Sequence, residues 1–291
     1  MNIDQREMRQ VAEAAAPRVD LYVGIHKAMR ALMADTLLVV GRMDVDDALE
    51  LAQVTQRVLE LLEFCRSHLK HENDFVHTAM EARAPGASGQ IAHEHEEHAE
   101  AIAVLANQAT ALLQCEWAER ATGALALYRA LSLFIAHNFE HMHVEETAHN
   151  AVLWARYTDA ELLEIHNALV SSIPPHEMMF VMRWMVPFLN PAERAALLGD
   201  MRAHAPAPAF AAALDVVRPH LTEASPISQM FVDSTTLAGR SRSPLPAGTA
   251  CSWSDRPARE RRCSRGGCRA SCRYRVSRRP SRSPGSTASR G

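Results

Sequence analysis

Residues 137–149, HNFEHMHVEETAH, put four histidines and three glutamates into thirteen positions, and residues 68–80, HLKHENDFVHTAM, hold three more histidines beside Glu72 and Asp74. Imidazole nitrogen and carboxylate oxygen are ligands that divalent metals take from proteins, so the chemistry on offer is cation binding. Both stretches carry the pattern H-x-x-x-E, in His68 with Glu72 and in His141 with Glu145. Residues four apart share a helix face, with about 5 to 6 Å between Cβ atoms, so each pair can serve one metal cluster.

Helical phase decides which of the 15 histidines can meet, because only an apolar stripe faces a bundle interior. Around the fourth segment the stripe reads Leu127, Leu131, Phe134, Asn138, His141, Glu145, Ala148, Val152. His141 and Glu145 stand where core residues belong. The second segment reads Val58, Leu62, Cys65, His68, Glu72, Phe75, Ala79, with the same replacement at His68 and Glu72. The first supplies Val19, Val23, His26, Met33, Leu37 and Val40, and the third Ile91, His95, His98, Ile102, Leu105 and Leu112. His26 to His68 spans 42 residues and His95 to His141 spans 46, each ending in H-x-x-x-E, so two helical hairpins are expected to supply equivalent half-sites. His95 fits that repeat; His98 is the alternative ligand on the third helix.

Two carboxylates and four imidazoles buried without compensation would cost on the order of several kcal/mol per unpaired charge. A pair of divalent ions removes the cost. Two histidines and one oxygen from each bridging glutamate give every ion four protein ligands, and an oxo or hydroxo bridge makes five. The remaining octahedral position stays open, which suits iron facing O2, NO or peroxide better than a closed zinc site.

The other histidines have blander expectations. His71, His77, His93 and His143 lie off the stripe and are expected in solvent, while His137 and His149 fall within about 40° of it. Together with Tyr22, one turn before His26, and His98, they are candidates to contact the ligands. A ferritin-like arrangement would need Glu146-x-x-His149 and Asp74-x-x-His77 facing inward, but nine residues separate His77 from His68, about 180° on an ideal helix.

Four long periodic segments must position these groups: residues 18–42, 46–83, 90–118 and 124–156, with turns at 41–44, 85–89 and 121–123. Short turns between long helices predict an all-α fold, an up-down-up-down four-helix bundle over 1–157. A helical extension over 158–223 follows, opened by the start signals Thr158-Asp159-Ala160-Glu161 and Asn190-Pro191-Ala192-Glu193. Trp184, Met185, Phe188 and Phe210 are expected to pack it on the bundle. Over 224–291 periodicity stops, and a composition of Arg, Ser, Pro and Gly predicts a disordered basic tail. Its abrupt onset reads equally as the product of a shifted reading frame. Its cysteines, Cys251, Cys263, Cys268 and Cys272, lack C-x-x-C spacing, so no zinc site is expected there.

The net charge of −3 hides a division, because residues 225–291 hold 14 Arg, no Lys and 3 acids, which leaves the preceding residues near −14. An acidic body argues against nucleic acid as a partner and accommodates cations. The polar opening MNIDQREMRQ and the lack of a long apolar run predict a cytoplasmic protein with no membrane partner.

At His26, His68-x-x-x-Glu72, His95 and His141-x-x-x-Glu145 the sequence resembles the hemerythrin-like, or HHE cation-binding, family over about residues 18–156. HLKHENDFVHTAM and HMHVEETAHNAVL also follow its habit of setting a polar residue and an apolar stretch after H-x-x-x-E. The resemblance implies a four-helix bundle with a non-haem di-iron centre, its ligands His26, His68, Glu72, His95, His141 and Glu145. The chain departs from the oxygen-carrying members, since position 99 is Ala and the third helix lacks H-x-x-x-H. It is therefore expected to sense or scavenge a small ligand such as O2, NO or peroxide. The alternative is a metal-responsive regulatory protein whose extension meets a protein partner. Whether it turns over a substrate stays open, because the sequence holds no dedicated proton-delivery constellation or electron-transfer cofactor motif.

Overall fold

The computed structural model describes residues 18–221; residues 1–17 and 222–291, with the expected tail, lie outside the described residues. Among the described residues every regular element is helical. Helix α1 (Val23–Arg42) starts where Asp20 Oδ1 accepts from the amides of Tyr22 and Val23, at 2.8 and 3.0 Å. Helix α2 is continuous through Ala48–His71, Glu72–His77 and Thr78–Arg83, with Asp47 accepting from the Leu49 and Glu50 amides at its start. Helix α3 is Gly89–Gln114, and α4 runs through Trp117–Val144, Glu145–His149 and Asn150–Arg156. Between α2 and α3, the Ala87 amide reaches the Ala84 carbonyl across Pro85-Gly86, and φ of +84° at Gly86 makes this the type II turn that glycine permits.

Each of these helices packs on the next, and α4 closes the square against α1. The seam holds Met29, Met33, Leu61, Leu62, Ile102, Leu127 and Leu131, all essentially excluded from water. Burying each such side chain contributes roughly 1.5 to 3 kcal/mol. No helix among the described residues is long and apolar enough to cross a membrane.

The turn expected at 121–123 is instead inside α4, and the chain breaks at Cys115 and Glu116, both extended. Gly123 faces α3 closely there: a Cβ would meet Leu112 Cδ1 at 3.0 Å. Likewise Gly41 belongs to the last turn of α1 rather than to a loop.

A second difference bears on the site. Glu72–His77 and Glu145–His149 are π-helical turns, so that the Asn150 amide reaches back to the Glu145 carbonyl five residues earlier. Each π turn delays the helical phase by about one residue, roughly 100°. The interior positions downstream are therefore Val76 and Met80, not Phe75 and Ala79, and His149 and Leu153, not Ala148 and Val152.

The extension comprises α5 (Asp159–Ser172), α6 (Pro175–Met185) leading into a 3-10 turn, α7 (Pro191–His204) and α8 (Ala207–Val217). Both start signals form capping boxes, Thr158 with Glu161 and Asn190 with Glu193. Helix α6 packs on α1 and places Val181 and Trp184 in the bundle core, with Met185 against it. Phe188 and Phe210 do not join them. Phe188 stacks outside Trp184 and is 50% exposed, while Phe210 packs on a separate cluster of Met182, Val186, Leu198 and Val217.

Candidate metal centre

The interior of the bundle brings His26 from α1, His68 and Glu72 from α2, His95 from α3, and His141 and Glu145 from α4 to one buried place. Their donor atoms form two quartets, each within 4.8 Å: His26, His68, Glu72 and Glu145, and His95, His141, Glu72 and Glu145. Both carboxylates belong to both quartets. In the first, His68 Nε2 lies 3.1 Å from Glu72 Oε1, and His26 Nε2 lies 3.4 Å from Glu145 Oε2 and 3.6 Å from Glu72 Oε1. In the second, His141 Nε2 lies 3.4 Å from Glu145 Oε1, and His95 Nε2 lies 3.5 Å from Glu72 Oε2. Donors held at 2.0 to 2.2 Å by one ion stand roughly 3 Å apart at right angles, so both quartets have the spacing of a coordination shell.

The outer ring nitrogens fix the tautomers. His26 Nδ1 lies 3.0 Å from Glu146 Oε1, His95 Nδ1 2.8 Å from Asn73 Oδ1, and His141 Nδ1 2.9 Å from Glu94 Oε2. Each partner oxygen only accepts, so each Nδ1 donates and each Nε2 lone pair points inward, as in carboxylate–histidine–metal triads. His95 Nε2 and His141 Nε2 then face each other at 3.1 Å as two lone pairs. His26 Nε2, His68 Nε2 and all four oxygens of Glu72 and Glu145 also have no hydrogen-bond partner in the protein. Three imidazole lone pairs and four carboxylate oxygens thus converge here, and a cation or protons reconcile them.

Without a cation, protons take that role. Burial opposes charge on His26, but the bond to Glu146 and the nearby Glu72 and Glu145 carboxylates prevail and push it up to about 9. His141 rises to about 9 against the same desolvation, through Glu145 and Glu94. Burial alone would raise Glu72, yet His68 and His26 hold it well below the usual carboxylate range. Glu145 is lowered too, since His141 and His95 outweigh burial and the repulsion of Glu72. Two carboxylates stay ionised beside two protonated imidazoles, a balance that two added cations would displace.

The π turns begin at the two shared glutamates and set the residues that follow them. Asn73, just after Glu72, holds His95 across the bundle; Glu146, just after Glu145, holds His26 and pairs with Arg30. Burial would raise Glu146, but His26 and Arg30 keep it at about 2. Asn73, Glu94 and Arg30 carry no sequence signal of their own beyond a polar residue after each H-x-x-x-E, and Glu146 entered only through the ferritin-like pattern with His149, not as the partner of His26.

His77, expected in solvent, is 5% exposed, and His149 is 3% exposed, because the π turns rotate both inward. A donor atom from each lies within 4.8 Å of a Glu145 oxygen. His68 and His77 both face inward for the same reason, against the half-turn separation expected on an ideal helix. Tyr22 is buried with its hydroxyl 3.2 Å from His149 Nδ1. His98 is buried with its ring centroid 4.8 Å from that of His141, but it belongs to neither quartet. His137 faces solvent because Asn138 takes the interior position beside it, its Nδ2 bonded to the Phe134 carbonyl. His93 is exposed, and His71 and His143 are partly so.

Residues 18–149 match the hemerythrin HHE cation binding domain family, the match closing at the end of the second π turn. No curated protein and no solved structure matches the chain.

Proposed function

We propose, from the match of residues 18–149 to the hemerythrin HHE cation binding domain family, that the chain holds a non-haem di-iron centre that senses or scavenges O2, NO or peroxide. One ion would be held by His26, His68 and an oxygen from each of Glu72 and Glu145, the other by His95, His141 and the remaining oxygens. Supporting this is one observation: four carboxylate oxygens without hydrogen-bond partners and the inward lone pairs of His26, His95 and His141 converge in one buried place. When bound, such a pair of ions supplies the charge that Glu72 and Glu145 require and an open position for a small ligand. The chain's own residues aim the imidazoles, holding a proton on Nδ1 of His26, His95 and His141 through Glu146, Asn73 and Glu94 so that Nε2 faces inward. We place the protein in the cytoplasm.

The test is anaerobic iron loading of two variants. His141→Ala is expected to remove metal binding while the partly exposed His143→Ala leaves it unchanged; equal iron loss in both would refute the ligand assignment.

A second reading, a metal-responsive regulatory protein, is favoured by where the extension touches. Helix α5 packs on the π turn Glu72–His77. Glu193 takes an ion pair from Lys27, beside His26, and Glu177 accepts from Ser67, beside His68. Ligand movements thus have a direct route to residues 158–221. Limited proteolysis with and without iron separates the readings: a change in cleavage within the extension favours regulation, and unchanged cleavage removes it.

A further inference from the structure

One set of buried polar rings beside the centre is left unused by the six ligands. Tyr22, His149 and His77 follow one another from His26 to His95. Ring centroids are 5.4 Å apart from His26 to Tyr22, 6.3 Å from Tyr22 to His149, 5.4 Å from His149 to His77, and 4.8 Å from His77 to His95. The arc thus joins the two quartets, and its histidines border the shared carboxylate Glu145.

Donor counting shows what the arc can do. Neither nitrogen of His77 has a hydrogen-bond partner, and a neutral imidazole carries one N–H, so His77 keeps an unused buried donor. Tyr22 and a neutral His149 share one bond of 3.2 Å but hold two protons, so one N–H or O–H is left over whichever of them donates. An unpaired buried donor is costly. A third cation is the poorer occupant. Both Glu145 oxygens already face imidazoles of the quartets, Oε1 at 3.4 Å from His141 and Oε2 at 3.4 Å from His26, which leaves the arc without a carboxylate of its own.

We infer that Tyr22, His149 and His77 form a hydrogen-bonding arc that selects small anionic ligands, of the azide or peroxide class, at the cation pair. The inference rests on the di-iron reading and names the ligand class that this chain prefers. Donors stabilise charged acceptors far more than neutral ones, so anions gain from the arc and nitric oxide gains little.

The test uses the full iron-loaded chain and its His77→Leu, His77→Gln and Tyr22→Phe variants, with iron per chain measured first and azide and nitric oxide titrated spectroscopically. His77→Leu should keep two irons, weaken azide binding roughly 10- to 100-fold and change nitric oxide binding less than about threefold. His77→Gln, which retains an N–H, should recover most of the azide affinity, and Tyr22→Phe keeps the test alive if His77→Leu does not fold. Azide affinity unchanged in all three, or equal losses for azide and nitric oxide, overturns the arc. Three irons in the parent and two in the His77 variants overturns it in favour of a third cation. Fewer than two irons in the parent would instead overturn the di-iron reading on which the arc rests.

Discussion

The two half-sites contribute the same ligands but are supported differently. His26, at 0% exposure, is held by the charged pair Glu146–Arg30. Its counterpart His95 is held by the neutral amide of Asn73, and His141 by Glu94, whose side chain is 28% exposed. A carboxylate partner raises the basicity of an imidazole more than an amide does. The repeat is therefore strict where atoms would touch a cation and loose one shell out, which makes His26 the better-anchored donor.

The largest effect should come from what both halves share. Glu145→Ala removes a ligand from both quartets, so iron content should fall from two per chain to none; retention of one tightly held iron would show that the halves bind independently. Removing the metal by chelation should lower the melting temperature on the order of 10 °C per ion, from about 4 kcal/mol for each site at a thousandfold excess over its dissociation constant. Calorimetry with identical traces before and after chelation would contradict a compensating role for the cations.

Glu146→Gln breaks the charged support of one half and should weaken metal binding roughly 10- to 100-fold. Asn73→Asp makes the other half resemble it and should tighten binding by less than that. Competition titrations against a chromogenic chelator rank these, and equal effects at Glu146 and Asn73 would erase the difference between the halves.

pH provides a fourth handle. His26 and His141 are raised from 6.5 to about 9 in the metal-free protein, so their charged forms add stability that is complete below 6.5 and lost as pH climbs through 9. Metal needs neutral imidazoles, so loading at neutral pH should release protons and affinity should rise with pH up to about 9. Titration calorimetry in buffers of different ionisation enthalpy reads the proton count, and no release would mean the imidazoles are already neutral.

Much of this was legible in the sequence, and the errors have one main cause. The stripe holds through His68–Glu72 and His141–Glu145 because α2 and α4 are regular to those points. Beyond them every extrapolated position is off by one residue, as Val76 and Leu153 show against Phe75 and Val152. A π turn inserts a residue without any compositional mark, and its stabilisation comes from tertiary contacts that a single helix does not display. The buried His77 was lost to that shift. Gly123 misled for a different reason: a glycine that lets two helices approach looks the same, in one sequence, as a glycine that turns the chain.

The central claim is that Glu72 and Glu145 are shared between two cations. An anaerobic Fe(II) titration of the full chain, with unbound iron measured at each addition, tests it most directly. Saturation at two irons per chain is the predicted result, and saturation at one, or no tight binding, would contradict it.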